Sequence, residues 1–110
     1  MSEYVTKARQ LIKQHKYFQL SASWCPDCAY ANSIWDRYKV KDKIYEFDIA
    51  KESIDKEEET KWRAAFRDAT GSANLPTIFI DGQVWGTERE LHQHEEAGSL
   101  ESELKRIELC

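Results

Sequence analysis

Two cysteines separated by two residues, Cys25 and Cys28, are the side chains of this sequence best suited to chemistry. They stand where a short apolar segment gives way to a helical pattern. Pro26 suits the first helical position, because the N–H that proline lacks would have no partner there. Residues i and i+3 lie on the same side of a helical turn, so a disulfide between the two cysteines can form and break with little backbone movement.

Cys25 is predicted at the helix N-cap and Cys28 one turn inside the helix. The first amides of a helix have no intrahelical partner, and the dipole makes that end positive. A sulfur at the N-cap accepts hydrogen bonds from those amides, which favours the thiolate, the attacking species in disulfide exchange. We therefore expect an exposed Cys25 to be the nucleophile and a less exposed Cys28 to be the resolving thiol.

Two other interpretations of the pair are half of a structural zinc site and two inert buried thiols. A tetrahedral zinc site needs four ligands, which commonly come from two such pairs. The sequence has three cysteines and three histidines but no second pair, and its third cysteine, Cys110, is the last residue. These counts favour a redox pair with no metal, and they leave the role of Cys110 open.

Composition narrows the class of protein. The 110 residues are enough for one domain with one core, predicted as 1–110, and 41% of them are hydrophobic. The net charge of −4 and the lack of a basic cluster disfavour nucleic acid. No apolar segment is long enough to cross a membrane, and the N-terminal residues do not form a secretory signal. We expect a cytoplasmic monomer, and in that compartment a Cys-x-x-Cys pair is more often catalytic than structural.

Hydrophobic periodicity predicts three helices around the cysteines. The first covers residues 3–14, and the second begins at Pro26. The third begins at Asp55, which with the glutamate three residues later forms an N-terminal capping pattern, and it stops at Gly71. The acidic run 57–59 suits the dipole of that helix and is expected to be a solvated first turn.

Four strands are predicted from the β-branched and aromatic segments 17–20, 44–49, 77–80 and 84–85. Asp81-Gly82 is a two-residue hairpin signal. Thr87 and Glu90 form a capping box that opens a further helix. Strands separated by helices imply parallel pairing through right-handed crossovers, and the hairpin adds an antiparallel edge. The sequence thus predicts an α/β fold with a four-stranded mixed sheet and helices on both faces.

The sequence resembles the glutaredoxins of the thioredoxin superfamily over nearly its whole length. The resemblance rests on Trp-Cys-Pro-Asp-Cys at 24–28, Thr-Gly at 70–71 leading to Asn-Leu-Pro at 74–76, Thr-Ile-Phe-Ile-Asp-Gly at 77–82, and Gly-Thr-Glu-Arg-Glu-Leu at 86–91. Fungal dithiol glutaredoxins with a Trp-Cys-Pro-Asp-Cys site are the most similar group. The resemblance implies a thioredoxin-like fold and a thiol–disulfide oxidoreductase that uses glutathione as cosubstrate, with no bound cofactor.

The resemblance also implies roles for particular residues. Cys25 and Cys28 would be the catalytic pair, and Pro76 would be a cis-proline packed beside them. The implied glutathione-binding residues are Trp24, Pro26, Leu75, Pro76, Arg89 and Glu90. From the residues alone, Pro76 could equally begin a strand, and the segment 87–90 could be a plain helix cap. The implied partners are glutathione and disulfide-containing or glutathionylated proteins.

Four positions depart from the pattern of glutathione-using relatives, where a lysine, an aromatic residue, a second glycine and an aspartate are usual: Ala22, Asp27, Thr87 and Glu90. Each change removes a cation, adds bulk or adds negative charge where an anionic tripeptide would lie. One charge-assisted contact contributes roughly 1.5–3 kcal/mol, so we expect weak activity in a standard glutathione-coupled assay. The third helix borders the groove in relatives, so its basic residues are either replacement cations or plain surface cations: Lys61, Arg63 and Arg67.

Two other functions fit parts of the pattern. Trp24 is more typical of thioredoxins, and with Ala22 and Asp27 it favours a thioredoxin-related oxidoreductase that is reduced by thioredoxin reductase. Some glutaredoxins instead share an iron–sulfur cluster between two subunits through the nucleophilic cysteine and glutathione. Pro26 and Cys28 argue against that binding function, because specialised relatives have a small residue and no second cysteine at these places.

Overall fold

Helices and strands alternate through the first half of the chain, and a hairpin and two helices complete it. The computed structural model describes residues 3–110. Its elements are α1 (Glu3–Gln14), β1 (Tyr17–Ser21), α2 (Pro26–Arg37), β2 (Tyr45–Asp48), α3 (Lys56–Thr70), β3 (Thr77–Ile80), β4 (Gln83–Thr87), α4 (Glu88–Ala97) and α5 (Leu100–Arg106), with a short 3-10 turn at Lys41–Lys43. Within the described residues, no helix is both long and apolar enough to cross a membrane.

The four strands form one mixed sheet in the order β2-β1-β3-β4. β1 is parallel to β2 and antiparallel to β3, and β3 is antiparallel to β4. The hairpin between β3 and β4 turns at Asp81 and Gly82, whose φ angles of 51° and 81° are those that a tight two-residue turn needs. The predicted four-stranded mixed sheet is confirmed.

Each face of the sheet is covered by its own set of helices. On one face, Phe18 and Leu20 of β1 pack against α1 and α3 in a cluster that also holds Ala8, Ile12, Phe47, Trp62 and Phe66. On the other face, Tyr17 of β1 belongs to a cluster formed mainly by α2, α4 and α5, with Ala31, Ile34, Trp35, Leu91, Leu100 and Leu104. Both cysteines of the pair lie in the first cluster, so the reactive end of α2 sits over the α1–α3 side of the core.

The caps of α3 and α4 form at the residues that the sequence predicts. Asp55 accepts a hydrogen bond from the Glu58 amide at 2.9 Å and begins α3. Gly71 ends that helix in the left-handed conformation at φ 83°. Thr87 and Glu90 form the predicted capping box at the start of α4.

Gly86 makes the α4 capping box possible, because a Cβ atom there would lie only 2.6 Å from Cγ of Glu90. We expect Gly86→Ala to lower the free energy of unfolding by about 1–3 kcal/mol, the usual cost of overpacking. Chemical denaturation measures this change. In a Glu90→Gly background the same substitution should cost much less, since Cγ and also Cβ of Glu90, which would lie 2.9 Å away, are gone; an equal cost in both backgrounds would contradict this explanation.

Candidate active site

The two cysteines are held by the start of α2. Cys25 is the N-cap residue with an extended backbone, Pro26 is the first helical residue, and the Cys28 amide donates a hydrogen bond to the Cys25 sulfur at 3.4 Å. Both thiols are free, so the pair is in its dithiol form. The predicted arrangement, in which an otherwise unpaired helix amide contacts the Cys25 sulfur, is confirmed.

Cys25 is less open to solvent than its sequence position predicts. Only 7% of the residue is accessible, against 3% for Cys28. The cause lies in the neighbouring loop, because the Cys25 thiol donates a hydrogen bond to the Leu75 carbonyl at 3.5 Å and packs in the core cluster with Ala22. The expectation of an exposed Cys25 is therefore wrong, although Cys25 is the more accessible of the pair.

Cys28 is held in the thiol form. Burial, in the first place, and the hydrogen bond with Cys25, in the second, raise the pKa of Cys28 to about 12. A buried thiol resists ionisation because a charge loses the solvation it would have in water. At neutral pH Cys28 therefore carries a proton that it must release when it forms a disulfide.

This raised pKa of Cys28 predicts a loss of stability in alkali. An unfolded thiol ionises near pH 8.5, so below that pH both states bind the proton, and above it the unfolded state loses its proton first. The dithiol protein should lose stability as the pH rises from about 9 towards 12. Denaturation of the dithiol protein and of Cys28→Ala across this window measures the difference. The disulfide form, which has no proton to lose, should not show this component; an identical slope in both forms would contradict the prediction.

The loop before β3 closes over the nucleophile. The Leu75–Pro76 peptide bond is cis, as the resemblance implied, and the carbonyl of Leu75 is the group that contacts the Cys25 sulfur. Trp24 and Pro26 adjoin Cys25 along the chain and Pro76 follows Leu75, so each of these four implied glutathione-binding residues either contacts the Cys25 sulfur or is next in sequence to Cys25 or Leu75.

The turn that precedes Cys25 is anchored by a buried carboxylate at the end of β2. Asp48 accepts hydrogen bonds from the amide of Ser23 at 3.0 Å, from the Ser23 hydroxyl, and from the amides of Ala50 at 2.9 Å and Lys51 at 3.4 Å. Burial alone would raise the pKa of Asp48, but these hydrogen bonds outweigh it and hold the pKa below its usual range. Asp48 is therefore ionised at neutral pH and ties the catalytic turn to the loop after β2.

A second acidic residue fixes Trp24. The indole N–H of Trp24 donates to Glu59 at 2.8 Å, and Lys56 contacts the other Glu59 oxygen at 3.1 Å while lying 5.3 Å from the indole ring. Glu59 is only 8% exposed, so the expectation that the whole run 57–59 is solvated is wrong for this residue. Its side chain is drawn inward because it faces the catalytic turn, where the indole N–H and the ammonium group satisfy both oxygens.

These contacts form one wall of a groove against Trp24, the residue that precedes the nucleophile in the chain. The groove has a volume of about 140 Å³ and is lined by Trp24, Ile49, Lys56, Glu59, Thr60 and Arg63. Arg63 donates from Nε to the Ala73 carbonyl at 3.0 Å, which places it next to the segment that leads to Leu75. Lys61 pairs with Glu57 at 3.7 Å instead, and Arg67 does not line the groove. Arg63 is thus the one of the three candidate cations that reaches this groove.

The first turn of α4 is occupied by its own residues. Glu90 accepts hydrogen bonds from the Thr87 amide at 2.7 Å and the Thr87 hydroxyl at 3.1 Å, and the Arg89 amide donates to that hydroxyl at 3.2 Å. The Thr87 amide is the main cause that lowers the pKa of Glu90. Glutathione binding by Arg89 and Glu90 stays a prediction, and it requires the ligand to share this cap.

The described residues of the site do not form a set of metal ligands. Among residues 3–110, no group of three or more His, Cys, Asp or Glu side chains is arranged to hold a metal ion. The chemistry that the arrangement supports with its own groups is exchange at sulfur, because a helix amide and a backbone carbonyl orient one thiol while a second, protonated thiol lies one turn away.

Sequence comparison decides the family. The family model described as Glutaredoxin matches residues 3–85. Glutaredoxin-8 of Saccharomyces cerevisiae is 57% identical over 109 residues, which cover 99% of this chain and 98% of that protein. The chain belongs to the glutaredoxin family. It is therefore a thiol–disulfide oxidoreductase, and the resemblance to fungal dithiol glutaredoxins is confirmed.

Solved structures of glutaredoxins agree with this assignment. The solution structure of the yeast dithiol glutaredoxin Grx8 is 55% identical and superposes with a TM-score of 0.88, over 100% of this chain and 99% of that one. A crystal structure of a buckwheat glutaredoxin–glutathione complex, at 21% identity, has the same fold with a TM-score of 0.71, over 94% of this chain and 89% of that one. The predicted thioredoxin-like fold is confirmed.

Proposed function

We propose that this glutaredoxin is glutathione-dependent and that it reduces protein disulfides or glutathione mixed disulfides through Cys25 and Cys28. The observation that carries the proposal is the position of the Cys25 sulfur between the Cys28 amide at 3.4 Å and the Leu75 carbonyl at 3.5 Å. A helix N-terminus stabilises the thiolate that must attack, and a backbone carbonyl at the end of an extended segment can bind the backbone of a peptide-like substrate.

In the first step, the Cys25 thiolate attacks the glutathione sulfur of a mixed disulfide. The bond between that sulfur and the protein sulfur breaks, the substrate protein leaves as a thiolate that takes a proton, and a Cys25–glutathione disulfide remains. A second glutathione thiolate can then attack the bound glutathione sulfur. This step releases glutathione disulfide and restores the Cys25 thiolate.

Cys28 provides the second route out of the Cys25–glutathione disulfide. The Cys28 thiol, which is protonated at neutral pH because its pKa is raised to about 12, gives up its proton, and its sulfur attacks the Cys25 sulfur. The Cys25–Cys28 disulfide forms and glutathione leaves as a thiol. Because Cys28 resists ionisation, simple removal of glutathione from a protein should not depend on this slower route.

The positions of several residues support glutathione as the ligand. The tripeptide would lie along the Leu75 backbone beside Pro76, with Trp24 and Pro26 flanking its sulfur. Arg63, whose guanidinium lines the groove beside Trp24, is positioned to compensate for the cation absent at Ala22. A buckwheat relative has been solved as a glutathione complex, which is consistent with this proposal.

A comparison of reductants tests the proposal. A glutathionylated peptide is supplied with the enzyme and either glutathione, glutathione reductase and NADPH, or thioredoxin reductase and NADPH, and NADPH oxidation is followed. We expect turnover that saturates with glutathione and none with thioredoxin reductase. Turnover with thioredoxin reductase alone would overturn glutathione dependence and favour the thioredoxin-related alternative.

A further inference from the structure

The groove against Trp24 contains a carboxylate that a site for anionic thiols would not need. Glu59 lines the groove together with two cations, Lys56 and Arg63. The Trp24 indole N–H is the main cause that lowers the pKa of Glu59, and Lys56 is the second. Glu59 is therefore ionised at neutral pH, although little of it is exposed.

Glu59 neutralises one of the two cations. Its Oε2 lies 3.1 Å from Nζ of Lys56, while its Oε1 holds the indole of Trp24. Trp24 itself is 51% exposed and directly precedes Cys25, so a molecule that approaches the Cys25 sulfur over this ring passes the Lys56–Glu59 pair. The groove thus carries a smaller positive charge than its two basic residues would give it alone.

We propose that Glu59 is a specificity-determining residue, which lowers the preference of this enzyme for anionic thiols by neutralising Lys56 in the groove against Trp24, the residue before Cys25. The inference rests on the proposed function only in that a small thiol reduces the enzyme. In that step a thiolate attacks Cys25 in the Cys25–Cys28 disulfide, a mixed disulfide between the small thiol and Cys25 forms, the Cys25–Cys28 bond breaks, and Cys28 leaves and takes up a proton; a second thiolate then attacks the small-thiol sulfur and releases Cys25.

A series of three small thiols tests the charge preference directly. The disulfide enzyme is reduced in single-turnover experiments by 3-mercaptopropanoate, 2-mercaptoethanol or cysteamine, which carry a negative, neutral or positive group besides the thiol. Each rate is compared between variants for the same thiol, so that the acidity of the thiol cancels. Because no reductase or glutathione is present, the result is independent of which reductant the enzyme uses physiologically.

Glu59→Gln is the principal variant, because the glutamine carbonyl can still accept the Trp24 N–H while the negative charge is lost. We expect the rate with 3-mercaptopropanoate to rise about two- to fivefold, which corresponds to the interaction free energy of one exposed ion pair. The rate with 2-mercaptoethanol should stay unchanged, and the rate with cysteamine should fall. These differences should shrink in 1 M salt, where the Debye length is about 3 Å.

Two further variants separate the charge of Glu59 from the charges of its neighbours. Lys56→Met changes an exposed residue and removes the cation paired with Glu59 while its bond to Trp24 remains, so it should slow reduction by 3-mercaptopropanoate and speed reduction by cysteamine. Glu57→Gln is the matched control, since it removes the same charge from the same helical turn but its partner is Lys61; all three rates should stay unchanged. Equal shifts for all three thiols in Glu59→Gln, or the same charge-dependent shifts in Glu57→Gln, would overturn the assignment.

Discussion

Cys25→Ser is expected to abolish reduction of a glutathionylated peptide, by about 10³-fold or more, as the loss of a catalytic nucleophile does. Cys28→Ser is expected to retain part of the activity, because the Cys25–glutathione disulfide can still be attacked by a second glutathione. The asymmetry follows from the structure, in which the Cys28 amide donates to the Cys25 sulfur, while burial keeps Cys28 protonated. Initial rates in the glutathione reductase-coupled assay measure it.

Cys110→Ser is the matched control for the two cysteine variants. It removes a thiol that is exposed at the end of the chain, and it should leave the rate unchanged. Substantial activity in Cys25→Ser, or equal and complete losses in the Cys25 and Cys28 variants, would contradict the assigned roles.

Asp48→Ala is expected to give the second large effect, on stability and on rate together. The substitution leaves the amides of Ser23, Ala50 and Lys51 without their acceptor, and a buried donor without a partner costs about 1–3 kcal/mol. Solvent can reach part of this loop, so we expect a net loss of about 2–4 kcal/mol in the free energy of unfolding. Because Ser23 lies two residues before Cys25, the rate with glutathionylated peptide should also fall.

Asp48→Asn separates the charge of this residue from its shape. The lowered pKa of Asp48 means that its ionised form stabilises the folded state. This contribution is complete above about pH 5, where an unfolded aspartate is almost fully ionised, and it is lost as the pH falls through the lowered pKa of Asp48. The stability difference between wild type and Asp48→Asn should therefore shrink below pH 4; a difference that is constant from pH 7 to pH 3 would show that the charge is irrelevant.

The parts of the site that sequence predicts well are those set by neighbours along the chain. Cys25, Pro26 and Cys28 occupy N-cap, N1 and N3 because proline position and helix spacing are local rules. The Thr87–Glu90 capping box has the same origin. Strand ends were less predictable: β2 is shorter than the segment 44–49, because an apolar pattern at the sheet edge does not show where pairing stops.

The anchors of the catalytic turn could not be predicted in this way. Asp48 and Glu59 contact Ser23 and Trp24 across separations of 25 and 35 residues, and no local period connects such positions. Asp48 left one usable signal, an acidic residue between the apolar Phe47 and Ile49 at the end of a strand. The sequence contains no such signal for Glu59, because in a run of three glutamates only the tertiary structure decides which side chain points inward.

Mass spectrometry of trapped intermediates tests the central claim most directly. Cys28→Ser is mixed with a glutathionylated peptide, quenched with acid after partial reaction, and digested. The proposed roles predict one glutathione attached to Cys25 and none to Cys110, whereas the wild type should pass on to a Cys25–Cys28 disulfide. Glutathione found on Cys110, or no adduct on Cys25 while the peptide is reduced, would contradict the assignment of Cys25 as the nucleophile.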